Sequence, residues 1–219
     1  MSVEYHHAYM LLYGVEGKMR LTNRALSDLF EIPFHRVRRW AKEFLPPDPR
    51  AGLRSGIAKS YSLAQAYKIL LGGHLVSSLG FSVYEAKKII QELQPWLEKH
   101  GLWPEANPSL PDDSPPIKAY SIDITKYQDN FIFGFEGVVR KELEFHGKYT
   151  KVLEEKIYYI VPETALNLIF KSLYRTAGKS KKLEISSFFR HFMKRLLNEE
   201  EFYRWLKRSE EIGIPVAVE

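Results

Sequence analysis

Two short apolar stripes at helical spacing stand close together near the start of the chain. Ala25, Leu26, Leu29 and Phe30 form one face of a first helix, and Thr22 is placed to cap it. Val37, Trp40, Ala41 and Phe44 fall at i, i+3, i+4 and i+7, which predicts a second helix with these side chains inside. Pro33 suits its first turn, where the missing N–H costs nothing. Phe30-Glu31-Ile32 is then a tight connector, and Pro46-Pro47-Asp48-Pro49 stops the second helix. Two capping boxes follow, Ser62-Leu63-Ala64-Gln65 and Ser82-Val83-Tyr84-Glu85. They predict a helix to about Leu79 and another whose stripe is Ala86, Ile89, Ile90, Leu93, Trp96 and Leu97. Pro95 is expected to end or kink that helix, and Gly101 to close the region.

After residue 116 the period changes. Tyr120, Ile122 and Ile124 alternate, as do Phe131, Phe133 and Phe135, and Leu143 and Phe145 alternate with Glu144 and His146. Ile157 to Val161 is a continuous apolar run. These read as three to five short strands, mostly antiparallel. Pro162 opens a helix with Leu166, Ile169, Phe170 and Leu173 on one face, ended by Gly178 and followed by a basic turn, Lys179-Ser180-Lys181-Lys182. A last helical region carries Phe188, Phe189, Phe192, Leu196, Leu197, Phe202, Trp205 and Leu206, and Glu199 to Glu201 read as a solvated face.

Residues 104–116 hold five prolines and three carboxylates, so they read as a linker. The expected organisation is α+β: an N-terminal arm (1–17), a mostly helical unit (18–103), the linker (104–116) and a small α+β domain (117–219). The 45% apolar and 27% charged composition is that of a soluble globular chain, and no apolar run approaches the length of a membrane span. No secretory signal is visible at the N-terminus. The absence of cysteine removes disulfides, thiolate metal sites and cysteine nucleophiles, and fits a cytoplasmic setting.

Charge changes the picture more than composition does. The chain carries +5 overall, but Lys18 to Lys59 alone hold ten Lys/Arg against four Asp/Glu. His35, Arg36, Arg39 and Lys42 lie opposite the apolar stripe of the second helix, with Arg38 nearer its flank. Arg50, Gly52, Arg54, Ser55, Gly56, Lys59 and Ser60 make the following segment a basic exposed loop or β-wing. This one-sided charge points to a polyanion. Catalysis finds little support. The seven histidines lack zinc-ligand spacing, Gly134-Phe135-Glu136-Gly137 is no phosphate loop, and no Gly-x-Ser-x-Gly occurs. No catalytic residue, metal site or cofactor is expected.

Glu31-Ile32-Pro33-Phe34-His35-Arg36-Val37-Arg38-Arg39-Trp40 resembles the turn and recognition helix of the MerR-type winged helix-turn-helix. Ala58-Lys59-Ser60-Tyr61-Ser62 is similar to the end of that family's wing, with Lys for Arg and without the first aromatic. The two helices after it, with Gly80-Phe81-Ser82 between them, look like the family's third and fourth. The resemblance spans roughly residues 18–100. It departs from the family at Glu31, where glycine is usual, and at Ala41, where an acid is frequent. The loop from Pro46 to Ala58 is long, and no long helix follows for the coiled coil through which typical members dimerise.

The resemblance implies a DNA contact from Arg38 and a sequence-specific regulator of transcription that binds double-stranded DNA. His35 and Arg36 sit near the helix N-terminus, the end that reaches bases, while Arg39 and Lys42 suit phosphates. Asn23 and Arg24 are candidates for the backbone, and Arg54, Lys59 and Tyr61 for wing contacts. Thr22, Ser60 and Ser62 are weaker ones. Trp40 and Phe44 are core. The expected partners are duplex DNA, a second copy joined other than by a long C-terminal coiled coil, and an effector at the C-terminal domain. A nucleoid-associated bacterial protein is the implied setting. An excisionase-like recombination accessory protein and a protein-interaction module remain open as alternatives.

Overall fold

The computed structural model describes residues 21–47, 59–104, 117–127, 130–145, 149–160 and 180–211. The arm at 1–17, most of the linker, the loop at 48–58 with Arg54, and the helix expected from Pro162 lie outside them. The chain divides into two compact units, Met1–Pro95 with Trp103–Glu105, and Trp96–Leu102 with Ala106–Glu219.

The first unit opens with strand β1 (Leu21–Thr22), which pairs antiparallel with β2 (Ser60–Tyr61). Helix α1 (Asn23–Leu29) starts where Thr22 accepts from the Ala25 N–H at 3.1 Å. Its end is a Schellman motif: the Ile32 N–H donates to the Ser27 carbonyl at 3.1 Å, and Glu31 takes the left-handed conformation at φ 53°. The Ser27 hydroxyl donates back to the Ile32 carbonyl at 2.8 Å and locks the turn. A Cβ in this conformation costs roughly 1–2 kcal/mol. Glu31→Gly is therefore expected to raise stability by up to about 1 kcal/mol, the greater freedom of glycine in the unfolded chain offsetting part of the gain. Urea unfolding tests this, and a drop in stability would contradict it.

Helix α2 (Phe34–Phe44) buries Val37, Trp40, Ala41 and Phe44, as its periodicity predicts. It packs on α1 and on α3 (Leu63–Ser77). Both predicted capping boxes form. Ser62 accepts from the Gln65 N–H at 3.2 Å while Gln65 accepts from Ser62, and Ser82 and Glu85 do the same at the start of α4 (Val83–Lys99). Ala86, Ile89, Ile90, Leu93 and Leu97 are buried.

Of the two outcomes expected at Pro95, an end of the helix does not occur, and Pro95 lies inside α4. The helix runs on to Lys99 because its last turn has its own support in the second unit. Trp96 stacks on Phe135 and on His100, each at 4.0 Å between centroids, and meets Tyr120 edge-on. Gly101, at φ 66°, then closes a Schellman motif with the Leu102 N–H donating to the Leu97 carbonyl at 2.8 Å.

The second unit holds an antiparallel sheet in the order β5-β4-β3-β6, formed by β3 (Ile117–Tyr127), β4 (Asn130–Phe145), β5 (Tyr149–Ile160) and β6 (Lys181–Leu183). The three main strands are long rather than short. The alternation at Leu143 and Phe145, expected as a separate strand, is the end of β4, because the β4–β5 ladder runs without a break through Arg140–Phe145. The expected basic turn is in part strand β6. Tyr120, Ile122, Ile124, Phe135 and Leu183 are buried on one face of the sheet. Helix α5 (Ile185–Leu196) packs against β3, and the Tyr120 N–H donates to the buried Ser186 hydroxyl at 2.8 Å. On the other face Glu136, buried, accepts from Ser121 at 3.3 Å and pairs with Lys182 of β6 at 3.2 Å. That pairing holds the Lys182 ammonium above its usual range. Helix α6 (Glu199–Glu211) begins with a third capping box, Asn198 with Glu201, so Glu201 caps the helix at its solvated end. Phe202 and Trp205 stack, and Trp205 meets Phe189 of α5.

Burial holds both His74, in α3, and His100 below the ordinary histidine value. A histidine with a lowered folded pKa leaves stability complete above the unfolded value of about 6.5 and erodes it as pH falls through the folded value. His100 donates through Nδ1 to the Trp96 carbonyl at 2.8 Å, a bond that asparagine can copy. His100→Asn is expected to flatten the fall in thermal stability between about pH 7 and pH 5. An unchanged slope would count against this account.

Candidate nucleic-acid interface

The geometry of the basic face begins with what α2 buries. Fixing Val37, Trp40, Ala41 and Phe44 inside turns His35, Arg39 and Lys42 directly outward at 100° per residue, with Arg36 and Arg38 on opposite flanks. All five are exposed. Arg36 therefore lies farther round the helix than the sequence reading places it. Pro33, the N-cap residue of α2, makes no side-chain cap, and its carbonyl accepts from the Arg36 N–H at 2.8 Å. Glu43 is the acid on this helix, and Lys87 of α4 engages it at 3.0 Å. That bond, with Arg39 and Lys42 adding to it, holds the Glu43 carboxyl below its usual range. The acid is thus tied to the neighbouring helix.

What seats α2 is a pair of glycines that sequence reasoning missed. Gly72 and Gly73 lie buried in the middle of α3, where each costs about 1 kcal/mol of helix propensity relative to alanine. A Cβ on Gly72 would stand 2.6 Å from the Phe44 ring, and one on Gly73 would stand 2.3 Å from the Trp40 indole. The two aromatics of α2 thus lie flat on bare backbone. The legible signal was two adjacent glycines inside a helix that begins with a full capping box.

Around the N-terminus of α1 the candidates divide. Asn23 is half-buried, and its Oδ1 accepts from the Tyr61 hydroxyl at 3.0 Å across 38 residues of sequence. Tyr61 is 7% exposed, so its ring packs inside and its hydroxyl steadies Asn23. Arg24 is exposed and pairs with Asp28 at 3.1 Å. Lys59 is exposed beside β2, next to the Thr22–Ser60 pair. Thr22 and Ser62 use their hydroxyls as helix caps. Among the described residues no group of His, Asp and Glu is arranged to hold a metal ion, and no helix is long and apolar enough to cross a membrane.

No curated protein and no solved structure matches the chain. A family model described as MerR HTH family regulatory protein matches residues 21–93, from β1 through α4 as far as Leu93. The match thus covers the short ribbon, the helix-turn-helix of α1 and α2, and the two helices that follow, and this segment is similar to the MerR-type helix-turn-helix.

Proposed function

We propose that this chain is a DNA-binding transcription regulator that lays α2 in the major groove of double-stranded DNA. The observation that carries this reading is the one-sided helix: five exposed basic or histidine side chains on α2, backed by a buried apolar stripe, inside the segment matched by the MerR family model. His35 and Arg36, in the first turn, meet base edges, and Arg38, Arg39 and Lys42 meet bases or phosphates. The uncapped N-terminus of α2 adds a positive helix dipole aimed at the same polyanion. Asn23 and Arg24 act on the phosphate backbone at the start of α1, with Tyr61 holding Asn23 in place. Lys59 and Arg54 add charge on the flanking backbone. The second unit supplies dimerisation or effector sensing, because one such module offers less contact area than specific binders generally use.

Gel shifts with random duplex at about 50 and about 200 mM salt test the reading. Binding at the lower concentration that weakens steeply at the higher one is expected. A chain that leaves duplex unshifted at low salt is not a DNA-binding regulator. Fragments selected from genomic DNA then give the site.

A further inference from the structure

Phe34 is the first residue of α2 and remains 42% exposed. A lone exposed apolar side chain is ordinary on a protein surface. This one stands in the first turn of α2, the turn that a groove-binding helix presents to base edges, on the flank opposite Arg36. It is also one turn before Arg38 on the same side of the helix. Phe34 precedes Val37 by three residues and Ala41 by seven, at the edge of the buried stripe, yet Val37, Trp40, Ala41 and Phe44 are buried and Phe34 is not. Among base edges in the major groove the apolar group is the C5-methyl of thymine.

We infer that Phe34 packs against a thymine C5-methyl and so sets a preference for thymine at one position of the recognised site. The inference rests on the DNA-binding reading above and adds to it a specificity contact made by shape and desolvation rather than by charge. Phe34 carries no charge, so the contact leaves the electrostatic part of binding untouched.

The test uses the full chain and a duplex recovered by selection from a random library. Each thymine is replaced singly by deoxyuridine, which removes the methyl and keeps the base-pairing groups. The wild-type chain is expected to lose about fourfold in affinity at one such position, the amount that burying one methyl group supplies. Phe34→Ala is expected to bind the thymine duplex as weakly as the wild type binds the uracil one, to show no further loss on uracil, and to keep the salt slope. Phe34→Leu, which retains apolar bulk, is expected to keep a part of the preference. An equal uracil penalty in wild type and Phe34→Ala overturns the inference, and so does a wild type indifferent to the loss of every thymine methyl. Absence of any duplex binding overturns the DNA-binding reading together with it.

Discussion

Gly73→Ala is expected to destabilise the first unit by about 2 kcal/mol, although alanine is the better helix former. The added methyl would lie 2.3, 2.4 and 2.5 Å from three atoms of the Trp40 indole. A buried ring cannot swing aside as the end of a lysine can, so α2 itself must move away from α3. Overpacking of this kind costs roughly 1–3 kcal/mol, and the propensity gain of about 1 kcal/mol offsets only part of a clash this close. Because α2 carries the basic face, its displacement should also weaken binding at the selected site more than binding to random duplex. The charges are unchanged, so the salt slope should hold. Urea unfolding followed by circular dichroism measures the first effect, and gel shifts the second. Adding Trp40→Leu to Gly73→Ala should recover part of the stability lost by Gly73→Ala, which isolates the contact as a double-mutant cycle. A Gly73→Ala chain as stable as the wild type would mean that the two helices are not held at this spacing.

Arg36→Ala and Arg39→Ala are expected to weaken DNA binding in distinguishable ways. Arg36 lies in the first turn of α2, and its loss should cost about 1–3 kcal/mol at the selected site, relax the preference at one base pair and change random binding little. Arg39 points straight out from the middle of the helix. Its loss should weaken all duplexes alike and lower the slope of log affinity against log salt by about 1. Both residues are exposed, so neither substitution should alter the unfolding midpoint appreciably. Identical affinities and slopes for the double variant and the wild type would place the DNA contact somewhere other than on α2.

These predictions draw on different levels of the molecule, and the division follows from physics. The helices of the first unit were legible because local rules fix them. Thr22, Ser62 and Ser82 announce helix starts through their own hydroxyls, and Val37, Trp40, Ala41 and Phe44 declare an inner face by spacing alone. The basic face followed by subtraction. Glu31, where glycine is usual, was visible as a residue, but its left-handed backbone became a fact only with the turn that demands it. Longer-range features were not legible. Nothing in the sequence pairs Tyr61 with Asn23, since a hydroxyl and an amide 38 residues apart carry no mutual pattern. The extent of β4 was hidden because its two alternating patches, Phe131–Phe135 and Leu143–Phe145, are joined by a residue run without alternation that the backbone ladder carries through. An end of α4 at Pro95 was expected from proline's local cost alone, and the helix continues where Trp96 packs on Phe135 and Tyr120.

By itself, then, the sequence determined which helices form around residues 22–99, which of their faces turn inward, and where the positive charge gathers. The tertiary structure decided how closely the basic helix is seated, through Gly72 and Gly73. It also decided which side chains engage one another across the first unit: Tyr61 with Asn23, and Glu43 with Lys87. Caps and periodicity act within a few residues and so are written locally. Close approach and side-chain pairing depend on which surfaces meet, and that exists only once the chain has folded.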